Sequence, residues 1–357
     1  MRIVWRYLAL AWLKAFAGAL FALTAIYLVV DYIDNARRYQ GDDAVRWVLA
    51  LYANKAVTVA YELLPGAMLL AAGIAVAGVR KRGEWSALRS LAIGPAHVLV
   101  PVAVAATLVA GITIAADGVT VGPASRRVDQ IHLDKFNYGG SWASYFGEVR
   151  WFRGRRNIYH LRQGNAETGF QDVTLLTISE DFRLARRIDA KTMEPVGGQV
   201  WRLREGTVRT LSGSASQVVH FDQRELLLDE DPAAFRIIKG RPEQLSWRDL
   251  REQIELRRNV GLPTERWSMA LHSKFAYPLA GVPGALVGCA LTLRPGRRSF
   301  LTSALAEGFA TVIAFWALLA VLKAAAMAGM IPPAAASWGP FALLGLGALV
   351  AARVGTR

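Results

Sequence analysis

The chain has one cysteine, Cys289, and five histidines in 357 residues. A single thiol excludes an internal disulfide framework and any zinc site built on cysteines. Five scattered histidines argue against a His-based metal site as well. The phosphate-cradling loop G-x-x-x-x-G-K-[ST] is missing, as are G-x-S-x-G, H-E-x-x-H and C-x-x-C. The chain is therefore not expected to hydrolyse ATP or to carry an enzyme active site, and no cofactor or metal is expected. No cleavable leader is evident, because the first apolar run is long and ends in charged residues without a small-residue cleavage site. Acid is also scarce: 28 Asp and Glu face 42 Lys and Arg, for a net charge of +14. In a soluble protein that excess would suggest a nucleic-acid partner. A mean hydropathy of +0.26 and 53% hydrophobic residues point to a membrane instead, and no nucleic acid is expected.

Six runs are long and apolar enough to be read as spans: Leu8–Val30, Val57–Val79 (interrupted by Pro65 and Gly66), Val98–Ala116, Met269–Leu293, Phe300–Met327 and Trp338–Ala352. Between the third and fourth, hydropathy falls for about 150 residues. This division predicts spans one to three within 1–117, an inserted domain over 118–267 and spans four to six within 268–357. The insert holds 24 basic and 20 acidic side chains, and the rest of the chain 18 and 8. The positive excess thus sits in the hydrophobic ends. Arg2 and Arg6, then Arg80, Lys81, Arg82 and Arg89, then Arg294, Arg297 and Arg298, then Arg353 and Arg357 all fall on one side of a six-span topology. The positive-inside rule makes that side cytoplasmic, with both termini, and the insert extracytoplasmic.

The insert reads mostly as short strands. Glu148–Arg153, Asn157–Arg162, Val173–Ser179, Arg183–Ala190, Gln199–Arg204 and Val218–Phe221 are rich in β-branched and aromatic residues. Gly154, Gly164, Gly197-Gly198 and Gly206 read as turns between them. A β-sandwich or open β-roll with an apolar interior follows, with Leu175 and Val200 placed inward. Residues 242–258 differ: Leu245, Leu250, Ile254 and Leu256 have the spacing of an amphipathic helix returning the chain to the membrane.

Two sets of residues stand out. Residues 81–94 follow a span and are too polar to be one; Trp85, Leu88, Leu91 and Ala92 share a helical face, with Arg89 elsewhere. This segment reads either as an interfacial helix or as a coupling helix for a cytoplasmic motor, with Glu84 lacking a local partner and available to a basic surface. Inside the spans, Glu62, Lys274, Glu307 and Lys323 are costly in hydrocarbon and are functional candidates. Glu62 and Lys274 lie near the same membrane face and form a possible ion pair. Gly281, Gly284 and Gly288 read as a close helix-packing seam.

The sequence resembles the LptF/LptG permeases of the lipopolysaccharide exporter. The resemblance rests on Leu64-Pro65 with the following small residues, on Gly83–Arg89, on Trp151–Gly154 with Ile158-Tyr159, on Leu271–Ala280, and on Gly329–Pro333. Length and the Tyr138–Ser141 segment lean towards the LptG-like member. The resemblance implies an α-helical membrane protein with six transmembrane helices and an inserted periplasmic β-jellyroll-like domain. It implies an inner-membrane subunit of an ABC-type exporter, paired with a homologous second permease on a cytoplasmic ATPase dimer. Glu84, Trp85, Leu88 and Arg89 would couple to that ATPase. Lipopolysaccharide would enter between spans one and five, then pass to the jellyroll domain and a periplasmic bridge protein. Arg37, Arg38, Arg126 and Arg127, just beyond spans one and three, suit its phosphates because the guanidinium donates two parallel hydrogen bonds. Asp31 departs from the family pattern and would repel phosphate unless paired with Arg37 or Arg38. The rival readings are a permease for another lipidic cargo such as lipoprotein, disfavoured by three spans before the insert, and a membrane anchor for a periplasmic binding domain, disfavoured by the lack of a cytoplasmic output domain.

Overall fold

The computed structural model describes residues 2–40, 43–136, 150–153, 156–165, 169–179, 183–212, 215–228, 241–259, 263–294 and 300–355. The segments 138–141 and 148–149, together with Gly154, Arg297, Arg298 and Arg357, lie outside them. The chain divides into a helical unit (Met1–Tyr138, Pro242–Trp247, Glu265–Arg357) and a second unit (Gly139–Arg241, Arg248–Thr264).

The helical unit contains α1 (Arg2–Asn35), α2 (Ala44–Lys81), α3 (Glu84–Ser90), α4 (Ala96–Ala116) and α5 (Val121–Lys135), then, after the insert, α7 (Glu265–Leu293), α8 (Phe300–Met327) and α9 (Pro333–Gly355); α6 (Trp247–Asn259) precedes them. Among the described residues, six helices are long and apolar enough to cross a membrane. They contain the six predicted runs. Span two is longer than its apolar stretch and begins at Ala44.

Helix α2 is the hub, with every residue from Leu63 to Gly73 buried. Pro65 does not interrupt it. A proline removes one i→i−4 bond, and packed neighbours can supply donors to the loosened turn. Here the Tyr277 hydroxyl of α7 donates to the carbonyl of Glu62. The glycine seam on α7 is real at two of its three positions. A Cβ on Gly281 would collide with the Met68 sulfur, and one on Gly288 with the Leu69 carbonyl oxygen. At Gly284 the nearest atom would be 3.7 Å away, so that position has room. Gly308 repeats the device on α8, where a Cβ would lie 2.6 Å from Leu70.

Residues 118–135, grouped with the β domain on hydropathy, instead belong to the helical unit and contain the whole of α5. The turn Pro242–Gln244 packs on α5. Gln244 is 3% exposed; its side chain donates to Asp129 Oδ2 (2.5 Å) and Ser125 Oγ (3.3 Å), and its carbonyl accepts from Arg126 Nη1 (2.8 Å). Gly122 allows this approach, since a Cβ there would stand 2.7 Å from the Gln244 oxygen.

Among the described residues the second unit holds one antiparallel sheet of β1 (Arg150–Arg153), β2 (Asn157–Asn165), β3 (Gly169–Ile178), β4 (Leu184–Gly197), β5 (Val200–Ser212) and β6 (Ala215–Leu227), in sequence order. The roll is thus an up-and-down meander. Its core is Tyr159, Leu161, Phe170, Val173, Leu175, Ile188, Ala190, Met193, Trp201, Leu203, Val208 and Leu228. In β3, β4 and β5 the buried positions change parity along one transverse row: Phe170 gives way to Val173 and Leu175, Ala190 to Met193, and Leu203 to Val208. The row itself is Asp172, Lys191 and Glu205. Asp172 and Glu205 have φ of +49°, and Lys191 bonds Glu205 at 2.9 Å in solvent. A strand kept in strict alternation would turn its second half to the wrong face; a crease of charged residues resets all three strands together. Gly206, expected as a turn, lies inside β5 beside the crease, where a Cβ would meet the Phe221 ring at 2.5 Å. Gly164 likewise lies within β2. Leu175 is inward as expected. Val200 is not: it precedes Trp201, which is fully buried, and so takes the opposite face. The amphipathic helix is present as α6, with Leu250 and Ile254 buried, and Leu245 lies before it.

Candidate functional site: a membrane cavity and its two ends

A cavity of about 800 Å³ lies within the helical unit. Its walls are α1 (Leu23, Ile26, Tyr27, Val30), α2 (Thr58, Tyr61, Glu62, Gly66), α7 (Lys274, Tyr277) and α8 (Phe309, Val312, Ile313, Trp316, Leu319, Lys323). The lining is largely aliphatic and aromatic. Polar groups gather at particular points, as in a site for an amphipathic ligand. Glu62 faces it from α2 and Lys323 from α8. Tyr277 ties the walls together: its hydroxyl donates to the Glu62 carbonyl and accepts from Trp316 Nε1 at 3.3 Å. Glu307 is half-buried on α8 and is not part of the cavity lining.

The expected Glu62–Lys274 pair does not form. Lys274 Nζ donates to Asp117 Oδ2 at 2.5 Å and to the Glu243 carbonyl at 3.2 Å. Asp117 ends α4 at the level reached by the Lys274 ammonium, and both side chains are under one-tenth exposed. The sequence signal for Asp117 was an acid directly after an apolar run. Asp31 is also paired otherwise than expected. It takes Lys55 Nζ at 2.6 Å and the Tyr52 hydroxyl at 2.8 Å, both from α2, and not Arg37 or Arg38. Its charge is thereby balanced within the protein.

Arg37 and Arg38 lie exposed on the turn Ala36–Arg38 that follows α1; Arg38 Nη1 donates to Asn35 Oδ1 at 3.2 Å. Arg126 and Arg127 lie exposed on α5, with Arg126 engaged on Gln244. The elements that carry the four arginines meet in one aromatic cluster. Tyr39, Leu51 and Ile131 are its buried centre, and Tyr39 packs on Phe136 with ring centroids 4.9 Å apart. Burial, and then the charge of Lys55, holds the neighbouring His132 below the usual histidine range against the opposing pull of Asp129 and Asp31.

At the other end of the spans, α3 follows α2 through Gly83, whose φ is +74°. Trp85 is 8% exposed in the main helical core with Leu8, Trp12, Val79 and Val98, and Leu88 packs beside it. Leu91, expected on that buried face, is 71% exposed, because the helix ends at Ser90 and Ala92 takes a left-handed conformation. Glu84 does have local partners: Arg82 Nε donates to it at 2.6 Å, and the Tyr7 hydroxyl of α1 is 3.0 Å from either carboxylate oxygen. Arg89 is exposed. Arg80 donates to the carbonyls of Thr292 and Arg294 at the end of α7. The basic residues at the start of α1, around α3 and at Arg294 therefore share one end of the bundle.

The family model for the lipopolysaccharide export system permease LptF/LptG matches residues 6–353. The chain belongs to the LptF/LptG family. It is thus a multi-pass inner-membrane permease of lipopolysaccharide export, a transport component. A search of curated proteins finds no match to the chain.

Proposed function

We propose that this LptF/LptG permease works as one half of an ABC-type exporter, with a homologous permease beside it and an ATPase dimer in the cytoplasm. The end bearing α3 faces the cytoplasm, as the positive-inside rule requires of Arg2, Arg6, Arg80, Lys81, Arg82 and Arg89. The sheet unit is then periplasmic and passes its cargo to a bridge protein. Helix α3 is the docking element: Trp85 and Leu88 anchor it inward, while Glu84, Arg89 and Leu91 present charge and an apolar side chain to the motor. The observation that carries the reading is the cavity of about 800 Å³. Lipopolysaccharide enters it between α1 and α8, its acyl chains against the aliphatic wall and its phosphates towards Arg37, Arg38 and Arg127. Arg126, held by the Gln244 carbonyl, contributes charge more than fork geometry.

The test is bound lipopolysaccharide in the purified complex. Each exposed arginine should contribute modestly, since water and salt screen it. Single Arg37 or Arg38 substitutions should bind nearly as well as wild type, and the double change Arg37→Glu with Arg38→Glu should bind clearly less. Arg→Lys at both positions keeps the charge and separates field from fork geometry. Unchanged binding in a well-folded double Glu variant would remove these arginines from the lipid site.

A further inference from the structure

Helix α3 is joined to α1 by a compact polar triad. Tyr7 lies about two turns into α1, and its hydroxyl is 3.0 Å from both Glu84 oxygens. Arg82 closes the triangle, with Nε 2.6 Å from Glu84 Oε1 and Nη2 2.7 Å from the Tyr7 oxygen. The phenol oxygen thus accepts from the guanidinium while its proton goes to the carboxylate. Tyrosine is suited to this position: it is a donor and an acceptor on a rigid stem. The same α1, unbroken from Arg2 to Asn35, carries Leu23, Ile26, Tyr27 and Val30 into the cavity wall. On its outer half Val29 and Ile33 are 58% and 67% exposed, while Asp31 between them is held by Lys55 and Tyr52 of α2. An unbroken helix that runs from the triad to the cavity wall carries a displacement at its inner end along its length.

We infer that Tyr7 is a positioning residue that ties the docking acid Glu84 to α1, so that movement of α3 is delivered to the α1 wall of the cavity. The inference rests on the docking role proposed for α3. A basic group of the motor that engages Glu84 takes over the bond made by Arg82, while the Tyr7 proton keeps the carboxylate attached to α1. Recruitment then depends on Glu84, and transmission depends on Tyr7.

The experiment uses the full chain in its purified complex with the ATPase it recruits. Cysteines at Val29→Cys on α1 and Val321→Cys on α8 carry spin labels; both native side chains are exposed, at 58% and 65%, and neither lines the cavity, while the native Cys289 is fully buried and does not label. Tyr7→Phe removes one oxygen. It should keep ATPase recruitment and hydrolysis, flatten the ATP-dependent change in the 29–321 distance, and lower lipopolysaccharide released per ATP about tenfold, as loss of a hydrogen bond to a charged group predicts. A Tyr7→Phe complex with the wild-type distance change and yield per ATP overturns the inference while leaving the docking role intact. Glu84→Arg that recruits the ATPase normally overturns the docking role, and the inference with it. If Tyr7→Phe lowers the melting temperature, Arg82→Gln decides, because it removes the cation and leaves the Tyr7–Glu84 bond: retained distance change supports the tie, and its loss refutes it.

Discussion

Replacing Lys274 with methionine removes an ammonium and keeps most of the side-chain volume. What remains is Asp117, whose side chain is 6% exposed and whose Oδ1 is already buried without a hydrogen-bond partner among the described residues. Oδ2 loses its 2.5 Å bond, and the Glu243 carbonyl loses a 3.2 Å donor. Breaking a buried pair by deleting one member costs about 3–5 kcal/mol, because the surviving charge is left in a poorly solvating site. Deleting both members is a different perturbation: a buried pair exchanged for apolar groups of similar volume is often neutral. The Lys274→Met/Asp117→Leu double variant should therefore lie within about 1 kcal/mol of wild type. The assay is equilibrium unfolding of the full chain in mixed micelles, read as a double-mutant cycle. A Lys274→Met cost below about 1 kcal/mol would mean the pair is solvated, since exposed pairs contribute that little. A double variant as unstable as the sum of the two single changes would refute the charge argument and assign the effect to packing.

On the α7 seam, Gly288→Ala should destabilise by about 1–3 kcal/mol, because the new methyl meets the Leu69 carbonyl, while Gly284→Ala should be nearly silent; melting temperatures compare the two. His132, held below its ordinary 6.5 first by burial, contributes stability that is complete above that value and is lost as pH falls through the depressed one. His132→Gln should abolish that acid-side loss, seen as a flatter melting temperature between about pH 5 and 6.5. A photo-crosslinker replacing Leu175 should capture lipopolysaccharide during ATP-driven export, and one at Val200 should not, because they lie on opposite faces of the sheet; equal capture at both would exclude passage along the interior.

The membrane class, the six spans and the strand-rich insert were legible in the chain alone. Length of apolar run, charge asymmetry and period-two alternation are local properties, visible without neighbours. The sequence also singled out the α7 glycines as a close-packing seam, which holds at Gly281 and Gly288 and not at Gly284, because small residues one or two turns apart have few other uses. Val200 was misplaced for a nearby reason. Its own strand carried the answer: Val200 shares parity with Arg202 and Arg204, opposite the buried Trp201 and Leu203. The pairings of charge were not legible. Glu62 and Lys274 were matched by depth alone, yet an ion pair also requires the two helix faces to meet, and Lys274 faces Asp117 across the turn to Glu243. The same holds for Asp31 with Lys55, and for Glu84 with Tyr7, which lie 24 and 77 residues apart. Which acid finds which base is set by helix rotation and by which side chains share a level. Those are properties of the packed bundle, and no local stretch of chain encodes them.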